Sequence, residues 1–83
     1  MARRKSGRIP KPNLLEEPKI ELLGNRELIL DGCRGVAEYG ENYIKLNTGK
    51  IMTGISGNGL IIKSFDNEIA VISGTITEIS FVS

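Results

Sequence analysis

The feature of this sequence that most constrains its fold is the short spacing between turn-forming residues. From residue 19 onward, runs rich in Ile, Val, Leu and Thr are closed every few residues by Gly, Asn or Asp. Such runs are typical of β-strands joined by tight turns, and none has room for a helix of ordinary length. The pattern predicts strands near residues 19–23, 27–31, 35–39, 43–47, 50–55, 60–65, 68–73 and 75–82.

Several of these runs repeat with a period of two residues, which places Ile51, Thr53 and Ile55, for example, on the same face of one strand. A period of two residues places one face of each strand against a core. The loops are short, and Asp66-Asn67 suits a hairpin turn because both residue types tolerate positive φ. Parallel pairs need longer crossovers. We therefore expect an all-β fold, a single small antiparallel β-sandwich or meander of about seven to eight short strands.

The first 18 residues differ in composition from the rest. Residues 1–12 contain five of the eleven Lys and Arg residues and none of the ten acidic residues. Residues 13–83 therefore have six basic and ten acidic residues, a net charge of −4. Prolines at positions 10, 12 and 18 oppose regular structure there. We predict a basic tail over residues 1–18 and a β domain over residues 19–83.

The size of the chain limits its core. With 83 residues, of which 40% are hydrophobic, it is long enough for one folded domain. It contains two Tyr, two Phe and no Trp, so the core must consist mainly of Ile, Leu and Val. A small aliphatic core gives little stability, and formation of a homo-oligomer would add to it.

The residues needed for most catalytic sites are missing. The sequence has no histidine, the commonest general base and metal ligand. Cys33 is the only cysteine, which excludes an intramolecular disulfide and fits a reducing, cytoplasmic setting. Its neighbour Arg34 leaves two interpretations open, a slightly activated thiol or a plain small residue. We therefore expect no enzyme activity, and no catalytic, metal or cofactor-binding residue.

Residues 54–59, GISGNG, superficially resemble a phosphate-binding loop. The spacing of the glycines differs from that of the dinucleotide-binding motif, and the strand-like LIIKSF follows instead of a helix. We interpret the segment as a turn with unusual φ values. Neither a phosphate site nor a small-molecule substrate is expected.

The basic tail leaves its partner open. It could be solvated or contact a protein, and Lys/Arg clusters also bind anionic lipid or nucleic acid. A small β-barrel that binds nucleic acid through this tail is therefore the alternative to a protein-binding domain. The acidic body argues against an extended nucleic-acid footprint, so no specific nucleic acid is expected.

The chain contains four informative segments, in this order: KIELLG (19–24), CRGVAEY (33–39), IKLNTGKIMTGISGNGLII (44–62) and ISGTITEISF (72–81). Together they resemble the YabP/YqfC family of sporulation proteins. The third contains the family's ladder of alternating apolar residues, and CRGVAEY is similar to the YqfC-like branch. The sequence departs from the family pattern at residues 31–33 and by one additional residue within residues 54–59.

The resemblance implies a non-enzymatic protein of endospore-forming Firmicutes, made in the mother cell and needed for the forespore to mature. It also implies a partner, a YqfD-like multi-spanning membrane protein encoded next door. The expected location is the cytoplasm of the mother cell, with attachment to the forespore membrane through that partner.

A β domain binds protein by adding a strand to a free sheet edge or by covering an apolar patch. Arg34, Tyr39 and Tyr43 lie near one predicted loop region, and Arg and Tyr are favoured at the centres of interfaces. We therefore predict these three as partner-binding residues. The alternative places Tyr39 in the core and Arg34 in a solvated turn.

Overall fold

The computed structural model describes residues 18–82, and every regular element within this range is a β-strand. Neighbouring strands are antiparallel throughout one sheet, in the order β1-β2-β6-β5-β4-β3. The predicted all-β antiparallel fold is confirmed, whereas the proposed tail lies outside the described residues except for Pro18. The strands are β1 (Lys19–Leu23), β2 (Glu27–Asp31), β3 (Gly35–Tyr39), β4 (Tyr43–Asn47), β5 (Met52–Asp66) and β6 (Ile69–Val82).

The described chain has six strands rather than the predicted seven to eight. The fifth and sixth predicted runs form one continuous strand, β5, and the seventh and eighth form β6. The two strands pair along almost their whole length, with register shifts where they bend. Residues 54–59 are therefore a bent part of a strand and not the predicted turn, although Gly59 does have a positive φ of 62°.

Two glycines allow the long hairpin to bend without ending. Gly57 passes so close to β6 that a Cβ on it would collide with the backbone carbonyl of Thr75. Gly74 has a φ of 134°, and a Cβ there would lie 2.7 Å from the carbonyl oxygen of Gly59. Because other residues would need space that is absent here, glycine keeps the strand pair continuous.

The bend divides the sheet into two half-sheets that share the long hairpin. The first half-sheet contains β1, β2, the start of β6 and the end of β5. The second contains β3, β4, the start of β5 and the end of β6. Within the described chain, the free edges are therefore β1, β3, residues 61–66 of β5 and the C-terminal part of β6.

The core lies between the two half-sheets. Leu28 and Leu30 of β2 and Ile44 and Leu46 of β4 are completely buried. The strands β2 and β4 are not neighbours in the sheet, and no helix of the described chain covers them, so the half-sheets cover each other. The buried hydrophobic residues are Leu28, Leu30, Cys33, Ile44, Leu46, Ile55, Leu60, Ala70, Ile72 and Ile76.

Two hairpin loops fix the bend through backbone hydrogen bonds. The β3–β4 loop accepts bonds from β5, and the β1–β2 loop accepts bonds from β6, so each loop extends a ladder past the bend. The donors and acceptors are Gly57 N–H to Asn42 (3.0 Å), Leu60 N–H to Glu41 (2.8 Å), Gly74 N–H to Arg26 (3.1 Å) and Ile76 N–H to Asn25 (2.7 Å).

The long hairpin closes in a tight turn between β5 and β6. Asn67 and Glu68 have φ values of 52° and 64°. Positive φ at two successive residues is the signature of a type I′ turn. The predicted hairpin is therefore present, with its two central residues one position later than Asp66-Asn67.

Candidate protein-binding site

The structure places Cys33 in the core rather than in a reactive position. Its side chain is completely buried, and its thiol donates to the Gly35 carbonyl at 3.5 Å. Burial raises the pKa of the Cys33 thiol, against the opposing effect of the backbone hydrogen bond with Gly35, and the charge of Glu68 adds to the rise. A buried thiol with a raised pKa is a poor nucleophile, so the interpretation as a small core residue is correct.

No group of three or more potential metal ligands occurs among residues 18–82. That part of the chain also contains no helix long and apolar enough to cross a membrane. The features of this part of the chain that could contact a partner are the free strand edges and the side chains exposed beside them.

The structure does not bring the three predicted partner-binding residues into one patch. Arg34 precedes β3 and Tyr39 ends it, so the strand separates them by roughly 16 Å at about 3.3 Å per residue. Tyr39 pairs with the buried Ile44 and faces inward. Tyr43 pairs with Ser56 and directly precedes the inward-facing Ile44. Because successive side chains of a strand point to opposite faces, Tyr43 faces outward.

Tyr43 has a packing role on the outer face. The residue is half-buried, and its ring lies over Gly54, where a Cβ would come within 2.5 Å of Tyr43 Oη and 3.1 Å of its ring. The aromatic ring thus fills the space left by the missing side chain. Arg34 is exposed, and its backbone N–H donates to the Asn47 carbonyl at 2.7 Å.

Tyr39 is 60% exposed, so the alternative that placed it in the core is wrong. Its hydroxyl oxygen accepts a hydrogen bond from the backbone N–H of Ile62 at 3.3 Å. Ile62 lies on the free edge of β5. The Tyr39 hydroxyl, on the free edge of β3, therefore satisfies a backbone N–H on the free edge of β5.

We call the space between β3 and residues 61–66 of β5 the seam. At one end, the Cys33 N–H donates to the Glu68 carbonyl at 2.9 Å. At the other end, Ile62 donates to Tyr39. These two bonds place β3 antiparallel to residues 61–66. No Cα of β3 lies within 8 Å of a Cα of β5, whereas paired strands are about 4.8 Å apart, so the seam is open.

Exposed apolar side chains line both sides of the seam. Val36 of β3 pairs with the buried Leu46, and Phe65 of β5 pairs with the buried Ala70, so both belong to the inward face. Val36 nevertheless remains 41% exposed and Phe65 44%. Neither residue stood out in the sequence, because inward alternation alone predicts burial.

A shallow groove of about 450 Å³ lies at the Tyr39 end of the seam. It is formed where the β3–β4 loop passes the bend in β5, and it includes the exposed side chain of Ile61. Aromatic, aliphatic and carboxylate groups thus meet in one concave surface. Its lining residues are Tyr39, Gly40, Glu41, Gly59, Leu60 and Ile61.

Both ends of the seam carry exposed carboxylates. Glu41 lines the groove, and Glu68, whose backbone carbonyl accepts from the Cys33 N–H, lies at the opposite end with Asp66 two residues before it. The two nearby lysines are engaged elsewhere, because Lys63 pairs with Glu27 at 3.1 Å and Lys45 pairs with Glu38 at 4.0 Å. The ends of the seam are therefore predominantly acidic.

Comparison with known proteins identifies relatives but no structural match. The model of the YabP family matches residues 15–83. The chain is also similar to a protein of Bacillus subtilis (strain 168) that bears the name "Uncharacterized protein YqfC". The two are 27% identical over 74 residues, which cover 89% of this chain and 80% of that protein. No solved structure matches.

Proposed function

The chain belongs to the YabP family, as its sequence motifs suggested, and from this premise we propose that it is a non-enzymatic sporulation protein that acts by binding another protein. Family membership by itself supports a role related to sporulation. The finer proposal is that the protein acts as a scaffold or assembly factor in endospore formation.

One observation carries the protein-binding proposal: the open seam combines free strand edges with exposed apolar side chains. Unpaired edges offer backbone donors and acceptors to another chain. Val36, Tyr39 and Phe65 add apolar surface beside those edges. A β domain whose function did not require a partner would more commonly keep such edges short, charged or covered.

The proposed partner is a YqfD-like multi-spanning membrane protein encoded next to this one. Such a partner would hold the domain at the forespore membrane, on the mother-cell side. The family resemblance supports this choice, and the exposed seam supports direct contact with a polypeptide.

Nucleic-acid binding is the less favoured alternative. Glu41, Asp66 and Glu68 give the seam the same sign of charge as a phosphate backbone. The exposed aromatic residues Tyr39, Phe65 and Phe81 belong to three different strands, and only two of them, Tyr39 and Phe65, lie along the seam, which offers few surfaces on which successive bases could stack.

Two titrations of the full chain test the proposal, one with the soluble part of the YqfD-like protein and one with a labelled oligonucleotide. We expect binding to the protein that persists between roughly 50 and 200 mM salt, because apolar and strand-edge contacts are little screened. Any oligonucleotide binding should be weak and should disappear over that range. Tight, salt-resistant oligonucleotide binding without protein binding would refute the proposal.

A further inference from the structure

The seam has an unusual width for two neighbouring strand edges. Its Cα atoms are more than 8 Å apart, too far for direct pairing. A strand inserted between two others needs roughly 9.5 Å between its neighbours, twice the usual strand spacing. At the Tyr39 end, the gap is no wider than one tyrosine side chain plus a hydrogen bond of 3.3 Å. Between β3 and residues 61–66, the seam therefore has about the width of one strand at the Tyr39 end, and it closes at the other end, where the Gly32 and Cys33 N–H groups donate directly to the Glu68 carbonyl.

The side chains along the seam match the periodicity of an inserted strand. The bonds at its two ends, Cys33 to Glu68 and Ile62 to Tyr39, place Val36 and Phe65 at roughly the same height on the inward face. An extended chain between them would direct every second side chain toward this exposed apolar pair. Its backbone would replace the Tyr39 hydroxyl as the acceptor for the Ile62 N–H.

Charge further specifies the occupant. Glu41 marks one end of the seam, and Asp66 and Glu68 mark the other, where Arg34 offsets part of their charge. Cationic residues on both sides of an apolar segment would face these carboxylates. Electrostatic attraction of this kind favours the correct partner and the correct register more than it adds affinity.

We propose that the seam is a docking site for one extended strand of a partner protein, with alternating apolar side chains and basic residues at both ends, which completes the sheet between β3 and β5. This inference rests on the proposed protein-binding function and specifies its surface and the chemistry of its ligand. Before the strand binds, the Tyr39 hydroxyl accepts the hydrogen bond from the Ile62 N–H that the strand would later accept.

A fluorescent peptide of three alternating valine-threonine pairs, with two lysines at each end, tests the site on the full chain. We expect a dissociation constant on the order of 10 to 100 µM, since a short flexible peptide loses much of its contact energy on ordering. Chemical-shift changes should be concentrated in β3 and residues 61–66, with the Ile62 amide among the largest. Changes confined to β1 or to the end of β6 would overturn the proposal.

Matched variants separate the seam from other exposed apolar surface. V36D should weaken binding about tenfold or more, because it places a carboxylate beside the inserted strand. V82D alters a valine that is 52% exposed on another free edge, and it should change binding less than about twofold. A peptide with glutamates at its ends, or with proline in place of threonine, should bind much more weakly. Equal binding by both variants would contradict the proposed location.

Competition distinguishes the possible occupants. An unlabelled peptide of residues 1–12 that displaced the probe with higher affinity would identify this chain's own tail as the ligand. A probe that bound only by dissociating a dimer would identify a second copy. Either result overturns the partner-strand proposal.

If the YqfD-like protein binds both valine variants equally, only the location fails; if it does not bind at all, the proposed function fails independently of the peptide result.

Discussion

The side-chain hydroxyls of Thr48 and Thr53 lie 3.2 Å apart in the core, where both residues are completely or almost completely buried. Thr48 Oγ1 also donates to the Ile51 carbonyl at 2.6 Å. Because the Thr48 proton is used in that bond, Thr53 must donate to Thr48. This direction makes the two positions unequal in their response to substitution.

Replacement of Thr48 with valine should destabilise the protein more than replacement of Thr53. T48V leaves the Thr53 hydroxyl buried without an acceptor, which costs about 1–3 kcal/mol. T53V removes a donor but leaves the Thr48 bond to Ile51 intact, with an expected cost below about 1 kcal/mol. Urea unfolding of both variants measures the difference. Equal losses would show that the inferred direction of the bond is wrong.

Alanine at Gly57 should destabilise the protein by several kcal/mol, on the order of 3 or more. The new Cβ would collide with the Thr75 carbonyl, and that backbone cannot move without breaking the β5–β6 ladder. Gly35 provides the control, since a Cβ there meets nothing within 4 Å. We expect thermal unfolding to show a large fall in Tm for G57A and little change for G35A.

Aspartate at Ile55 should prevent folding, whereas aspartate at Ile61 should be tolerated. Ile55 is completely buried, and an unpaired carboxylate there costs several kcal/mol against a total stability of about 5–15 kcal/mol. Ile61 is 50% exposed, so its substituent stays in water. Circular dichroism would decide, because similar spectra for both variants would contradict the assigned inward face of β5.

The raised pKa of Cys33 predicts a loss of stability at alkaline pH. The folded state retains the thiol proton more strongly than the unfolded state does. The contribution is therefore fully present below the unfolded-state pKa, close to the ordinary thiol value of 9.0, and is lost as pH rises through the folded-state pKa. Urea unfolding at a series of pH values should show a steeper decline above about pH 9 for the native chain than for C33A. Parallel curves would argue against burial of the thiol.

The sequence predicted the strands well because alternation is a local property. Ile55 and Leu46 lie on the inward face, as the period of two requires. The continuity of β5 and β6 was missed, because glycine marks both turns and bends. Only the close approach of Gly57 to Thr75, a contact between strands, shows that this glycine belongs to a bend.

The candidate site depends on topology and was therefore largely hidden in the sequence. Partner binding by Tyr39 stays a prediction; the residue is exposed beside the seam, whereas Tyr43 lies on the outer face over Gly54. Val36 and Phe65 occupy inward positions and remain exposed, Val36 on the edge strand β3 and Phe65 on the part of β5 that pairs on one side only. A pattern of apolar residues cannot show which strands will be at the edges of a sheet.

The shared hairpin has a consequence for how the molecule unfolds. Since β5 and β6 run through both half-sheets and the two half-sheets cover each other's buried face, melting either half frays the shared strands and exposes the core of the other half. The domain should therefore behave as one cooperative unit, without a stable half-folded intermediate. Amide protons throughout the central strands should then exchange only through global opening, while those of β1 and β3 exchange earlier by local fraying.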